Sequence, residues 1–346
     1  MGEQRGNPSM RDVMNFGILG CGLIASTHAM AVEALPGAAL LGVADKAFDR
    51  AASFAAERGI RAYHSYEEML LDPAIDAVCV CTPSCFHEEG AVAALRAGKH
   101  VVLEKPMALT CESADRIIAA ADESGKCLTV ISQYRFSDDV RKVRELVKNR
   151  AFGRITLCDL SMKYYRDDAY FTESAWHGRM AFEGGGALMN QGIHGVDLLE
   201  YVMGEVKSAS GLVRTLVHKI EVEDTAAAVL EFASGALGVI TASTCAFPGF
   251  DRRLSIHGDR GYVILRDDVI ETLYLDGKVV RESKPDPNAF QSANNPAIPD
   301  CSRHMTQIAN LMDAAKGKAK LHIDGREGRR AIRLITEIYK SSSEQA

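Results

Sequence analysis

The stretch Phe16-Gly17-Ile18-Leu19-Gly20-Cys21-Gly22-Leu23-Ile24-Ala25 decides the fold, because a short apolar run ends there in a glycine-rich turn and leads into a helical pattern. Gly20 permits a tight turn, and Gly22 lets backbone N–H groups approach a ligand closely. The N-terminus of the helix that follows supplies partial positive charge. A strand, this turn and a helix in that order are typical of a site for the pyrophosphate of a dinucleotide.

Apolar runs alternate with helical patterns from this turn to about residue 133. Such alternation predicts βαβ units, and therefore a parallel sheet with helices on both faces. The predicted strands are residues 16–20, 40–44, 77–81, 100–103 and 128–132, and the predicted helices include residues 49–58, 86–97 and 111–124.

The pattern changes after Arg135, where strand-like runs follow one another with few helices between them and predict a mostly antiparallel sheet. The predicted strands are residues 155–165, 208–217, 225–232, 237–246, 253–257 and 262–266. Residues 226–230 and 239–242 are apolar on both faces, so we expect both sides of this sheet to be covered, one of them by a second subunit in a homodimer or homotetramer. Residues 285–300 hold four prolines and predict a surface loop, and helical patterns return over residues 302–339.

These patterns define an α/β fold class, a Rossmann-type doubly wound parallel sheet followed by an α+β domain with a large, mostly antiparallel open sheet. The boundaries that we predict are residues 12–134 for the dinucleotide-binding domain. Residues 135–346 then form the domain for substrate binding and oligomerisation.

The composition indicates which classes of partner and which cellular location to expect. A formal net charge of -6 and a pI near 6.0 argue against binding to long nucleic acids, so small ligands are expected. No apolar run approaches the roughly 18 residues of a membrane span.

Nine cysteines without framework spacing predict reduced thiols and a cytoplasmic protein. Cys81, Cys85 and His87 match no zinc spacing, so we predict no metal.

The second strand ends in Val43-Ala44-Asp45, which places a carboxylate where it can accept hydrogen bonds from the adenosine ribose hydroxyls. A 2′-phosphate would be repelled there, so the sequence favours NAD over NADP. The alternative is a solvated Asp at a strand end. Lys46 is the next residue, and its positive charge can weaken the preference for NAD over NADP.

Two further strands end in motifs at the carboxyl edge of the sheet, where open α/β sheets bind ligands. The first is Cys81-Thr82-Pro83, with His87 four residues past the proline, and the second is Glu104-Lys105-Pro106. A lysine at the tip of an apolar strand, which the following proline should hold extended, is costly unless its ammonium has a task. Beside an oxidised nicotinamide it can stabilise a developing alkoxide, whereas the alternative is an ordinary surface lysine.

The second half contains a glycine run, residues 184–186, that feeds an almost wholly apolar segment to Leu199. We predict one helix here, with Asn190 and His194 four residues apart on one face and Asp197 close by. A histidine beside an amide in a buried helix suggests an acid–base group with a positioning partner. A structural histidine is the alternative.

These motifs, in this order and at these intervals over residues 14–339, resemble the Gfo/Idh/MocA family. The resemblance implies a Rossmann domain, an open antiparallel sheet through which subunits assemble, and NAD(P)-linked oxidation of sugars, polyols or nucleotide sugars. By position, Lys105 matches the lysine of the Glu-Lys-Pro motif, and His194 matches the histidine taken as proton acceptor. Many members have Asp where this chain has Asn190, and an amide cannot accept the proton of the histidine.

We therefore predict a dehydrogenase in which His194 takes the hydroxyl proton, Lys105 stabilises the alkoxide and hydride passes to the nicotinamide. The alternatives are an enzyme that retains NAD and cleaves glycosides through a transient keto-sugar, and a non-catalytic NAD-dependent regulator. The predicted catalytic residues are Lys105, His194 and Asn190. The predicted cofactor-binding residues are Gly20, Gly22, Leu23, Ile24, Asp45, Thr82, Pro83, His87, Glu104 and Lys105. The predicted substrate-binding residues are Lys105, Arg135, Tyr165, Trp176, Asn190 and His194.

Overall fold

The first strand, β1, lies inside a six-stranded parallel sheet in the computed structural model, which describes residues 13–283 and 300–345. The strand order is β3-β2-β1-β4-β5-β6, so the chain winds outward in both directions from β1. Phe16 and Ile18 are fully buried in β1, which is expected of a strand covered on both faces. The strands are β1 Met14–Leu19, β2 Ala38–Ala44, β3 Arg61–Tyr63, β4 Ala77–Val80, β5 His100–Leu103 and β6 Leu128–Val130.

Helices follow these strands as the alternating pattern predicts, so the predicted parallel α/β architecture is confirmed. The helices are α1 Leu23–Glu33, α2 Phe48–Arg58, α3 Tyr66–Leu71, α4 His87–Arg96 and α5 Cys111–Ser124. The edge strand β3 was not predicted, because three residues are too few to show a period. Helix α6, Asp138–Lys148, leads from this sheet towards the second one.

The second sheet has the order β14-β13-β12-β11-β7-β10-β9-β8. Its pairs are antiparallel except β7 with β10, so the predicted open, mostly antiparallel sheet is confirmed. Its strands are β7 Ile155–Lys163, β8 Val206–Arg214, β9 Thr225–Phe232, β10 Leu237–Ser243, β11 Arg253–Gly258, β12 Gly261–Arg266, β13 Val269–Leu275 and β14 Lys278–Glu282. Strands β13 and β14 are not predicted from the sequence, since both mix charged and apolar residues without a clear boundary.

The two faces of this sheet differ in burial. Helices α9, Ile193–Met203, and α11, Gly325–Glu344, pack on one face, and Ala226, Ala228 and Leu230 of β9 are buried there. The opposite face exposes hydrophobic side chains from four adjacent strands, which we call the open-face patch. Its members are Leu157, Leu212, Val229 and Leu237. The prediction that residues 226–230 are apolar on both faces therefore corresponds to one face under helices and one face open.

The C-terminal helices return to the first sheet. Helix α10, Ser302–Ala315, packs on α1, and its Gln307 side chain donates to the Val130 carbonyl oxygen of β6 at 2.6 Å. Thr129 of β6 donates to the Ile323 carbonyl oxygen at 2.7 Å. These contacts cross the division that we predict at residue 134, which stays a prediction. The surface loop predicted over residues 285–300 lies outside the described residues except for Asp300, and the remaining short helices are α7, Asp168–Thr172, and α8, Met180–Glu183.

Among residues 13–283 and 300–345, the structure contains no helix with the length and apolar character needed to cross a membrane.

Candidate active site

The glycine turn between β1 and α1 forms an open cradle. Gly20 has φ +90°, and a Cβ there would lie 2.9 Å from the Cys81 carbonyl oxygen, so only glycine fits the turn. At Gly22 a Cβ would meet nothing within 4 Å, and no side chain caps α1, which begins at Leu23. A free helix N-terminus beside open space suits the pyrophosphate of a dinucleotide, and Leu23 and Ile24 supply the first-turn N–H groups.

Asp45 holds this turn in place. Its carboxylate accepts from the Cys21 N–H at 2.8 Å and from the Ala47 N–H at 2.8 Å, and the Arg50 guanidinium lies 3.9 Å away. A carboxylate fixed beside the glycine turn retains lone pairs for the hydroxyls of a ribose attached to that pyrophosphate. The geometry of β2 therefore fits the adenosine end of NAD.

The turn after β4 contains one group that suits a ligand and one that is structural. The Thr82 hydroxyl is buried and makes no hydrogen bond among the described residues, as expected of a group that meets a ligand. His87 is 1% exposed, and its ring nitrogens lie 2.7 Å from the Pro106 carbonyl oxygen and 2.9 Å from that of Thr82. The His87 ring thus joins the two motif turns, and the cofactor contact of His87 stays a prediction.

Lys105 follows β5 and is half-buried, and its peptide bond to Pro106 is cis. Burial lowers the pKa of Lys105, whereas the carboxylates of Glu104 and Glu183 act to raise that pKa and Arg166 acts to lower it. A lysine with a lowered pKa is closer to proton exchange near neutral pH than an exposed one.

Glu104 is a buried residue, 5% exposed, and its carboxylate lies beside two histidines. One oxygen lies 2.8 Å from His28 Nε2 of α1 and 3.8 Å from His304 Nε2 of α10, and the other accepts from the Lys105 N–H at 3.0 Å. Burial acts to raise the pKa of Glu104, but the two histidines outweigh it and hold that pKa well below its usual value. The Glu104 side chain thus holds the Lys105 backbone, and the cofactor contact of Glu104 stays a prediction.

This cluster of His28, Glu104 and His304 is also a group among the described residues with potential metal-ligand atoms within 4.8 Å of one another. It was not foreseen, since its members lie far apart in sequence. The atom pair closest together, His28 Nε2 and Glu104 Oε1, is already hydrogen-bonded, and we interpret the cluster as a link between three elements.

The glycine run in the second half is held by a buried carboxylate. Glu223 accepts from the Gly186 and Leu188 N–H groups, each at 2.8 Å, and from the Tyr339 hydroxyl at 2.7 Å. A Cβ on Gly186 would lie 2.2 Å from the Glu223 carbonyl oxygen, so this close approach requires glycine. The run is therefore tightly fixed rather than flexible.

The single helix predicted after this run is wrong. Ala187–Gln191 forms a π-helical turn, and α9 begins only at Ile193 after Gly192. Asn190 and His194 therefore belong to different elements and do not share one helical face. π turns recur at functional sites, and this one re-aims Asn190, whose amide donates to Glu183.

His194 lies in the first turn of α9, with its ring edge-on to the Tyr134 ring at 5.0 Å. Burial and the cations Lys105 and Arg252 hold the pKa of His194 well below its usual value. His194 and Lys105 line the same small cavity, together with Met107 and Ser132 among others. The structure thus brings together the two residues that come from different halves of the chain.

Three predicted substrate residues have other partners. The Arg135 guanidinium is 3% exposed and pairs with Asp197 at 2.6 Å and with Glu327 at 2.6 Å, so it links α9 to α11, and its contact with a substrate stays a prediction. Tyr165 stacks edge-on against Phe247 at 5.2 Å.

Trp176 packs edge-on against His177 at 4.0 Å, in the segment before the glycine run.

A polar group beside this segment was missed. Arg166 donates to Gln191 Oε1 at 2.9 Å, Gln191 donates to the Tyr170 hydroxyl at 2.8 Å, and His177 stacks on the Tyr170 ring at 4.1 Å. Glu183 was missed as well. The sequence gives little indication of Glu183, because a single acidic residue before three glycines belongs to no periodic pattern and no known motif.

Comparisons with known proteins agree with this geometry. Residues 14–132 match the family described as "Oxidoreductase family, NAD-binding Rossmann fold", and residues 140–264 match the "GFO/IDH/MocA C-terminal domain". The chain belongs to the Gfo/Idh/MocA family. This family member is an NAD-dependent oxidoreductase, and the cradle at Gly20 and Gly22 fits that cofactor.

Relatives of this Gfo/Idh/MocA oxidoreductase cover most of its length. It is 33% identical over 270 residues to the myo-inositol 2-dehydrogenase of Thermotoga maritima, with 75% of this chain and 77% of the relative covered. Its fold is similar to that of the WlbA dehydrogenase from Bordetella pertussis, solved with NADH and UDP-GlcNAcA, with a TM-score of 0.85, 30% identity, and 96% and 98% of the two chains covered. The corresponding protein of Chromobactrium violaceum gives a TM-score of 0.85 at 28% identity over 98% and 96% of the chains.

Proposed function

We propose that this oxidoreductase oxidises a secondary hydroxyl of a sugar, a polyol or a sugar derivative, including a nucleotide sugar. The observation that carries the proposal is the cavity lined by both Lys105 and His194, which lies beyond the carboxyl edge of the cofactor-binding sheet. The relatives named above support the substrate class, because they are a myo-inositol dehydrogenase and a dehydrogenase solved with UDP-GlcNAcA.

In this proposal His194 takes the proton of the substrate hydroxyl. Its lowered pKa keeps the imidazole neutral at physiological pH, so a ring nitrogen is available as a base. The Lys105 ammonium lies on the same cavity and stabilises the negative charge that develops on the oxygen. Bound NAD supplies the hydride acceptor.

The proposed cofactor contacts divide into backbone and side-chain groups. The backbone of Gly22, Leu23 and Ile24 binds the pyrophosphate, and Asp45 binds the adenosine ribose. Thr82 supports the nicotinamide end, because its hydroxyl has no other partner among the described residues. We also keep the cytoplasm as the proposed location, which is supported by nine cysteines that are all unpaired.

The experiment is a panel of myo-inositol, UDP-GlcNAcA, related nucleotide sugars and free sugars, followed at the nicotinamide absorbance with free NAD. We expect one class to reduce NAD with net turnover. Cleavage of a glycoside without net change in NAD would contradict a simple dehydrogenase and would identify the glycoside-cleaving alternative.

A further inference from the structure

Glu183 is a buried carboxylate that contacts Asn190 and acts on the pKa of Lys105. It ends helix α8, is 2% exposed, and accepts from the Gly178 N–H at 2.6 Å with one oxygen. Its other oxygen accepts from the Asn190 amide. A buried carboxylate is costly unless its lone pairs are used, and both oxygens of Glu183 are used.

We propose that Glu183 is a positioning residue of the reaction, which orients the Asn190 amide and places a negative charge opposite Lys105. The inference rests on the proposed function, because it assigns a task within the same site. Glu183 does not take the proton of the substrate hydroxyl, which is the role of His194. It acts through Asn190 and Lys105.

The orientation of the Asn190 amide follows from the chemistry of its partner. An ionised carboxylate only accepts hydrogen bonds, so the amide must turn its NH₂ group towards Glu183. The amide oxygen of Asn190 then faces away from Glu183, where it can accept from a substrate hydroxyl or an ammonium group. Without Glu183, the amide is free to flip and to present a donor instead.

The charge balance around Lys105 gives the second argument. Two carboxylates act on Lys105, but Glu104 is already bonded to His28 and to the Lys105 backbone. Glu183 is the carboxylate hydrogen-bonded to Asn190, and it acts to raise the pKa of Lys105 where Arg166 acts to lower that pKa. Because Asn190 itself is neutral, Glu183 is the group that places a negative charge directly beside it.

The groups that face Glu183 set its ionisation. Burial raises the pKa of Glu183 to about 7, and the nearby Glu223 adds to the rise, while the Gly178 N–H, Asn190 and Lys105 oppose it. The hydroxyls of Tyr170 and Tyr339 also face it, and each has a raised pKa. The carboxylate therefore forms as the pH rises through about 7.

The test is Glu183→Gln, assayed across pH with the substrate that the panel identifies. We expect kcat/KM at pH 8 to fall about 10–100-fold, because an oriented acceptor and a charge are lost. Loss of the negative charge also lowers the pKa of Lys105, so the basic limb of the pH–rate profile moves to lower pH. The acid limb moves down as well, because Glu183 no longer titrates and only His194, with its lower pKa, remains there.

Glu221→Gln is the matched control. The Glu221 carboxylate accepts from the Met180 N–H at 2.9 Å at the start of the same helix, but it is exposed. Its variant should keep both limbs of the profile. The double variant Glu183→Gln with Asn190→Asp returns a carboxylate to the site and should recover at least part of the lost rate.

Three results separate the possible outcomes. A loss of rate at every pH, with unshifted limbs and no recovery in the double variant, would reduce Glu183 to a brace for the Gly178 turn. If no compound of the panel reduces NAD, the proposed function itself fails. If Lys105→Ala is impaired and a folded Glu183→Gln is not, only the present inference fails.

Should Glu183→Gln not fold, Asn190→Asp alone tests the same contact. Two adjacent carboxylates share one proton, so the acid limb should then move to higher pH, and an unchanged limb would overturn the inference.

Discussion

Lys105 and His194 meet on one cavity although 88 intervening residues and a change of sheet separate them in the sequence. Lys105→Ala and His194→Ala should each lower kcat by about 10²–10⁴-fold, since each removes a group that acts on the reacting hydroxyl. Calorimetric titration with NAD should give nearly unchanged Kd values, because the cradle lies at Gly20 and Gly22. Near-normal turnover of His194→Ala would return the histidine to a structural role.

Asp45 is the residue that we expect to separate the two nicotinamide cofactors. NAD should bind at least about tenfold more tightly than NADP, a difference of about 1.4 kcal/mol, because a 2′-phosphate would meet the fixed carboxylate. In Asp45→Ser the ratio of the two Kd values should shrink. Asp49→Ser, which changes an exposed carboxylate in the first turn of α2, is the control and should leave the ratio unchanged. Tighter NADP binding by the unmodified protein would mean that Lys46 or Arg50 faces the ribose.

Helices α9 and α11 are joined through the buried Arg135 guanidinium. Arg135→Ala leaves Asp197 without its partner in the interior and should lower the free energy of unfolding by about 3–5 kcal/mol. Arg329→Ala breaks a partly exposed pair with Asp115 between α11 and α5, and should cost less than about 1 kcal/mol. Urea unfolding of both variants measures the difference. Equal effects would mean that the Arg135 pair is as well solvated as the surface one.

The elements differ in how far the sequence determines them. The turn at Gly20 was predicted because its φ of +90° and its close approach to β4 leave one residue type possible, and such a constraint is visible in the sequence. The π turn over Ala187–Gln191 was not, since apolar residues at helical spacing fit a continuous helix equally well. The partners of Arg135, Glu104 and Glu183 depend on tertiary contacts between distant segments, which no local pattern encodes.

The whole molecule presents the open-face patch of Leu157, Leu212, Val229 and Leu237 to its surroundings. We expect a homodimer or homotetramer in which this face is covered by a second copy, because four adjacent strands with exposed apolar side chains are unfavourable in water. Val229→Glu should shift the mass measured by light scattering towards the monomer. Leu71→Glu changes an 83% exposed leucine outside the patch and is the control. A monomer at micromolar concentration for the unmodified protein would contradict this expectation.

The return of helix α10 to the first sheet has a mechanical consequence. The chain leaves that sheet beside Ser132 and is back on it by Ser302. The segment that contains the second sheet is therefore connected to the first sheet at both of its ends. A doubly tethered body can rock about the line of its tethers but cannot swivel freely. Ser132 itself lines the cavity shared by Lys105 and His194. Because the chain crosses to the second sheet at this cavity, we expect the separation of Lys105 and His194 to change little under any movement of the second sheet.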